Sequence, residues 1–179
     1  MASLRSPPLD SADPKLGLGL ELLDYERSRS DGKINFDWVD IRLWIEIFGL
    51  RVERQELRRS LYTKDARYLI EWLRKVPDPD VYKSFEPTEP SFEIDFQRLR
   101  GGVMFDVIFL ISAYGIVDGF YSTDSGVSVR FPVRATQIRQ FADDLESELK
   151  GLESQHAQEL VQWNARKVAE TENRRKRDR

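Results

Sequence analysis

The sequence predicts an α+β domain with a mainly antiparallel sheet, a central helix and a long C-terminal helix. Three patterns support this fold class. Apolar residues alternate with polar ones in several runs before residue 62 and after residue 91, which is typical of strands with one buried face. One apolar stripe at helical spacing lies between those runs, and a second begins at residue 135. The order strands, helix, strands, helix favours an antiparallel sheet over repeated βαβ units.

The first half of the chain contains two clear strand patterns and a weaker one. Leucines alternate with glycine and glutamate at 16–22. A longer run places its apolar residues on one face: Val39, Ile41, Leu43, Ile45 and Ile47. The Asp-Gly pair within the turn cluster at 29–32 predicts a hairpin between these two strands. Beyond a turn at Gly49, residues 50–57 are predicted as a strand, with a helix starting within 53–61 as the alternative.

The central helix is predicted over residues 63–76. Its apolar stripe follows the spacing i, i+3, i+4, i+7 and i+10, at Ala66, Leu69, Ile70, Leu73 and Val76. Thr63 is predicted as the N-cap, and Asp65 lies in the first turn, where the helix dipole favours an acid. The Pro-Asp-Pro-Asp sequence at 77–80 is expected to end the helix.

The second set of strands begins with alternation at 92–96, which an Arg-Gly-Gly turn joins to the run 103–111. Because the residues around Phe109 are apolar on both faces, this second strand is expected in the middle of a sheet with cover on each side. A last strand is predicted at 127–133. Pro132 cannot donate a hydrogen bond to a neighbouring strand, so this strand is expected at an edge.

The charge distribution and the helical patterns divide the chain into three parts. Residues 1–14 are rich in proline and serine and are predicted to be a disordered lead. Residues 15–152 are predicted as one domain, which ends with a docked helical stripe: Ile138, Phe141, Ala142, Leu145, Leu149 and Leu152. The helix is expected to continue past Gly151, so that residues 153–179 form a helical extension with a basic tail. The body at 15–150 has 20 basic and 24 acidic residues, whereas five of the last six residues are basic.

Composition excludes several kinds of chemistry. The 179 residues include no cysteine and one histidine, which excludes disulfides, thiolate zinc sites, iron–sulfur clusters and cysteine nucleophiles. Nucleotide-binding glycine loops, nucleophile elbows and zinc-protease motifs are not found. We therefore expect a protein that is not an enzyme, with no cofactor and no metal. No apolar run reaches the roughly 18 residues of a membrane helix, and no secretory signal is recognised, so a cytoplasmic protein is expected.

Two features resemble catalytic groups but have simpler interpretations. His156 could act as a general base, but it lies among glutamines and glutamate and is predicted to be a solvated histidine on the helix surface. The acidic residues Glu86, Glu89, Glu93 and Asp95 could include a carboxylate pair for glycoside hydrolysis. Glu93 and Asp95 alternate with apolar residues, however, which favours the solvated face of a strand.

Partner-binding residues are predicted in two places on the acidic body and in one place on the tail. Trp44 shares a strand face with Asp40 and Glu46, so it is expected to be exposed and available to a partner. Glu86 and Glu89 are the other candidates on the body. On the tail, clustered basic residues could contact the phosphates of a nucleic acid: Arg174, Arg175, Lys176 and Arg177.

Four sequence segments resemble the WapI-type immunity proteins of bacterial polymorphic toxin systems. They are Asp37-Trp38-Val39, Leu61-Tyr62-Thr63 with the helix Tyr68-Leu-Ile-Glu-Trp-Leu73, Phe85-Glu-Pro87, and Pro90-Ser-Phe-Glu93. The resemblance covers residues 16–152 and leaves the C-terminal helix outside.

The resemblance implies a small cytoplasmic α+β protein that binds and neutralises a cognate toxin domain and has no shared catalytic residues. Toxin domains that attack nucleic acids have basic clefts, onto which an acidic surface could dock. The alternative is an interaction or nucleic-acid-associated module that acts through the basic C-terminal helix.

Overall fold

The computed structural model of the chain describes residues 2–6, 16–27, 34–78, 84–89, 91–99, 103–112 and 126–177, with the backbone alone at 54–60, 112 and 169–177. The strands are β1 Ala2–Arg5, β2 Leu16–Arg27, β3 Ile34–Ile47, β4 Leu50–Tyr62, β5 Ser84–Phe85, β6 Phe92–Arg98, β7 Met104–Ser112 and β8 Gly126–Arg134. The helices are α1 Thr63–Lys75, α2 Ala135–Gln155 and α3 Ala157–Arg177. These elements confirm the α+β class with antiparallel sheets and a long C-terminal helical region.

The described strands form two four-stranded antiparallel sheets. Sheet A has the order β1-β2-β3-β4 and sheet B has the order β5-β6-β7-β8. β4 is a strand throughout, so the helical alternative at 53–61 is wrong. β7 lies inside sheet B and β8 at its edge, where Pro132 pairs with Asp106, as the sequence predicted. The two predicted glycine-containing turns, at 29–32 and at 100–102, lie outside the described residues.

The N-terminus corrects one prediction. Ala2 and Leu4 are buried and pair with Leu20 and Leu18 of β2, so the disordered lead predicted for 1–14 is wrong at Ala2–Arg5. The remainder of that lead from residue 7 onward lies outside the described residues. A four-residue strand is too short for its own alternation to be distinguished from chance, and here β2 supplies the hydrogen-bonding partner.

The core lies between the two sheets and the inner faces of α1 and α2. The predicted apolar stripes of both helices are buried, as are the inward-facing residues of β2, β3, β6 and β7. The guanidinium of Arg74 on α1 lies 2.7 Å from a carboxylate oxygen of Asp143 and 3.0 Å from one of Glu146, both on α2. The hydrogen bonds from Arg74 and then from Lys150 lower the pKa of Glu146 to about 2. An ion-pair cluster therefore links the solvent sides of the two helices.

The start of α1 differs from the prediction in its cap. The N-cap is Tyr62, without a side-chain capping bond, and Thr63 is the first helical residue. The Thr63 hydroxyl donates to the backbone carbonyl of Phe36 at 2.6 Å, which fixes the helix to β3 instead of capping it. Asp65 accepts a hydrogen bond from the backbone N–H of Thr88 at 2.9 Å, and so connects α1 to the segment after β5.

The C-terminal helical region is interrupted at His156. The sequence predicted one continuous helix past Gly151, whereas α2 ends at Gln155 and α3 starts at Ala157. The φ of His156 is −110°, outside the helical range. Its N–H still bonds to the carbonyl of Leu152, and its own carbonyl accepts from Leu160. A single non-helical residue thus separates α2 from α3, and α3 lies against β3, where Trp163 contacts Phe36.

Candidate partner-binding surfaces

The outer face of sheet A contains three of the five predicted partner-binding residues, and it is an ion-pair network. Alternation along β3 places Asp40, Arg42, Trp44 and Glu46 on the face opposite the core. Arg42 pairs with Glu21 at 2.8 Å, and Arg5 pairs with Glu46 at 2.7 Å. Asp40 and Glu46 are half-buried. The acidic groups on this face are therefore largely engaged by neighbouring strands.

Trp44 is fully buried, so the prediction that it is exposed to a partner is wrong. Its indole lies over Gly19, the residue directly opposite on β2, and a Cβ at position 19 would lie 2.2 Å from the indole. The guanidiniums of Arg5 and Arg51 lie 5.5 and 4.6 Å from the ring centroid and cover it from solvent. The signal in the sequence was the pair Gly17 and Gly19, since glycines on a strand face leave space for an aromatic ring of the next strand.

Glu86 and Glu89 lie in the segment between β5 and β6, on sheet B. Glu86 is exposed and Glu89 is half-buried, with its carbonyl accepting from Ser91 at 2.7 Å. The two predicted acidic groups thus belong to different sheets. Glu93 and Asp95 follow on the outer face of β6, opposite the apolar residues as predicted, and they are half-buried there.

His156 is 4% exposed, so the prediction of a solvated histidine is wrong. Its Nε2 lies 2.8 Å from Oδ1 of Asp24 on β2. The rings of Tyr25 and Phe36 lie 5.8 and 6.3 Å from the imidazole centroid. This side chain, at the junction of α2 and α3, therefore links the start of α3 to sheet A. The sequence immediately around His156 contains neither glycine nor proline, so the helical pattern did not indicate the interruption between α2 and α3.

A groove of about 370 Å³ lies beside α3 and was not predicted. Its aromatic lining comes from four different elements: Tyr25, Phe36, Tyr62 and Trp163. At the rim, Arg67 pairs with Glu153 at 2.7 Å and Lys167 pairs with Asp37 at 2.5 Å. The groove forms because α3 crosses the start of β3 with few side chains in contact, so no single stretch of the sequence contains its pattern.

Tyr25 in this groove gives a testable alkaline titration. Burial, and after it the nearby Glu153 carboxylate, raises the pKa of Tyr25 to about 12. In the unfolded chain, the hydroxyl of this tyrosine ionises near pH 10. The favourable contribution of Tyr25 to stability is therefore complete below pH 10 and is lost as the pH rises to 12. We expect one tyrosine to titrate by absorbance near pH 12, and Tyr25→Phe to remove that step. A full set of tyrosines titrating near pH 10 would contradict this assignment.

Other predicted features have a more limited description. The backbone of α3 is helical to Arg177, but the side chains of Arg174, Arg175, Lys176 and Arg177 lie outside the described residues, so the nucleic-acid prediction stays a prediction. The residues whose positions are described include no group of three or more His, Asp or Glu side chains that could hold a metal ion. Within the same residues, no helix has the length and apolar character required to span a membrane.

Comparison with known proteins completes the description. The family model "Immunity protein WapI-like family" matches residues 11–153, close to the 16–152 range of the resemblance seen in the sequence. The match includes β2 to β8 and all but the last residues of α2, whereas α3 lies beyond it. Among curated proteins, none matches this chain. Since the matched range is most of the 179 residues, the chain belongs to the WapI-like immunity protein family.

Proposed function

We propose that this protein binds a cognate toxin domain in stoichiometric amounts and thereby neutralises it in the bacterial cytoplasm. The observation that carries the proposal is the family match over residues 11–153, which includes most of both sheets and nearly all of α2. Immunity by binding requires a stable surface complementary to the toxin and no turnover of a substrate. The two-sheet body with its buried core can supply such a rigid surface.

Charge supports docking onto a basic toxin cleft, although the contribution is small. The body at 15–150 has four more acidic than basic residues. Acidic groups on such a body speed the encounter with a basic cleft and exclude its anionic substrate. Of the predicted acidic residues, Glu86 is exposed and so the most available, whereas Glu46 is paired with Arg5. Asp40 and Glu89, both half-buried, are proposed as secondary contacts.

Co-expression tests the proposal directly. The toxin C-terminal domain encoded immediately upstream of this chain's gene should arrest growth alone and not with this protein. The tag belongs after α3, because Ala2 in β1 is buried and an N-terminal tag would disturb that strand. We expect a 1:1 complex and protection that saturates at equal amounts. Persistent growth arrest without a complex would contradict the proposal, and protection at a small fraction of the toxin would indicate an enzyme instead.

The alternative is a nucleic-acid-associated module, which the five basic residues among the last six favour. A variant with a charge-neutral tail distinguishes this alternative from the binding proposal. Glutamine at Arg174, Arg175, Lys176 and Arg177 keeps helix propensity and removes four charges. Protection should be unchanged, because the family match ends at residue 153 and excludes these positions. Loss of protection together with loss of salt-sensitive nucleic-acid binding would favour the alternative.

A further inference from the structure

The end of the β3–β4 hairpin presents apolar side chains to solvent. Phe48 is 72% exposed, Leu50 is 69% exposed and Val52 is 37% exposed. We call Phe48, Gly49, Leu50 and Val52 the hairpin tip. Isolated exposed apolar residues are common on protein surfaces, but several on adjacent positions of one hairpin form a patch of the kind that marks interaction sites.

The backbone of the hairpin tip conflicts with its sequence. β3 and β4 are joined by the two residues Phe48 and Gly49, with φ values of 52° and 82°. Two-residue hairpin turns with positive φ at both positions favour Asn, Asp or Gly at the first position. Phenylalanine there has a cost on the order of 1 kcal/mol. Folding alone does not explain an aromatic residue that is both strained and exposed, since asparagine would suit this turn better.

The apolar side of the hairpin tip continues the core face of sheet A. Val52 pairs with Ile45 and Leu50 pairs with Ile47, so these side chains follow the buried face of β3 out of the core. The strands therefore extend an apolar face beyond the part that the helices cover. An apolar projection of this kind fits a concave apolar surface of another protein.

The charges around the hairpin tip indicate the kind of partner. On the opposite face, Arg51 pairs with Glu53 at 2.8 Å and Arg5 pairs with Glu46 at 2.7 Å. Among the described side chains, these two cations and two carboxylates leave the outer face of the hairpin without an excess of positive charge. A surface for nucleic acid requires an excess of cations facing the phosphates. An apolar face without an excess of cations behind it is instead suited to contact with another protein, because the centre of such an interface is apolar.

We propose that the hairpin tip is the main anchor of this protein on its partner, with Phe48 inserted into an apolar cleft of the toxin domain. This inference rests on the proposed function and names the surface that performs it. The Phe48 ring is already exposed to solvent in the free protein, so the turn does not have to rearrange on association. Leu50 and Val52 contact the apolar walls of that cleft, and the charged pairs lie on the hairpin face turned away from it.

The substitution Phe48→Asn tests the anchor without harming the fold. Asparagine is favoured at this turn position, so the thermal unfolding midpoint should be unchanged or slightly raised. The affinity for the purified toxin C-terminal domain, measured by calorimetry, should fall by at least about 30-fold, as expected for an aromatic hot spot. Leu50→Thr, which keeps β propensity, should weaken binding in the same direction. Tyr68→Gln is the matched control, because Tyr68 is 61% exposed but lies on α1. The affinity of Tyr68→Gln for the toxin domain should stay within about threefold of the wild-type value.

The outcomes distinguish this inference from the proposed function. If the wild-type chain and Phe48→Asn bind the toxin domain equally well, the hairpin tip is not the anchor and the proposed function stands. If Tyr68→Gln loses as much affinity as Phe48→Asn, the contact surface includes α1 and the inference is overturned as well. If the wild-type chain does not bind the toxin domain, both the proposed function and this inference fail.

Discussion

Gly19→Ala is expected to lower the free energy of unfolding by about 3 kcal/mol, an unusually large effect for the addition of one methyl group. The new Cβ would lie 2.2 Å from Cε2 and Nε1 of Trp44. The indole cannot move outward freely, because the guanidiniums of Arg5 and Arg51 lie over it. It cannot move inward either, because it already lies on the backbone of β2. The clash must therefore be relieved by distorting the pairing of β2 with β3 in the centre of sheet A.

Gly17→Ala is the matched control for this prediction. Gly17 lies on the same face of the same strand, but its nearest neighbours to an added Cβ are the carbonyl oxygen of Leu4 at 3.1 Å and the Arg5 side chain at 3.4 Å. We expect this variant to lose less than about 1 kcal/mol in urea-induced unfolding. The double variant Gly19→Ala with Trp44→Leu should lose less free energy of unfolding than the sum of the losses of the two single variants, because the smaller leucine removes the clash. Equal losses for both glycine variants would show that general crowding on this face of β2, and not the short contact of position 19 with Trp44, explains them.

The elements that were predicted correctly are those in which buried residues recur at a regular spacing within one segment of the chain. The stripe of α1 and the alternation of β3 each follow one local period, and the structure buries the residues that the period selected except Ile47, which is half-buried. The edge position of β8 followed from Pro132, whose missing N–H is a property of one residue. Of the segments that resemble the immunity family, Asp37-Trp38-Val39 lies in β3 and Tyr68-Leu-Ile-Glu-Trp-Leu73 lies in α1, so part of the family pattern coincides with elements that could be predicted.

The incorrect predictions concern contacts between distant parts of the chain. Trp44 lies at a polar position of its own strand and is buried by glycines of the neighbouring strand. His156 is buried at the junction of α2 and α3, and its partner Asp24 is 132 residues away. Gly49 indicated a turn, but the positive φ of Phe48 and the exposure of its ring depend on the register between β3 and β4. Such pairings cannot be derived from periodicity within one segment.

Trp72→Ala is expected to lower the free energy of unfolding by about 3–5 kcal/mol, because a buried aromatic side chain would be replaced by a cavity. Trp72 on α1 is buried, and its ring lies 5.7 Å from that of Phe85 and 5.8 Å from that of Phe96. Since α1 directly follows β4 of sheet A, this one side chain connects the sheet A segment to the inner face of sheet B. In the co-expression assay at 37 °C, Trp72→Ala should also protect cells less against the toxin domain, because less folded protein would be present.

Tyr68→Ala separates this effect from a general loss of aromatic area on α1. Tyr68 lies one turn before Trp72 and also contacts Phe85, at 6.0 Å, but it is largely exposed. Its variant should lose less than about 1 kcal/mol in the same urea titration. A similar loss for both variants would mean that the outer contact with Phe85 holds α1 in place. A loss confined to Trp72 would place the link between the two sheets in the tightly packed core, where a cavity cannot be filled by small shifts of the neighbouring side chains.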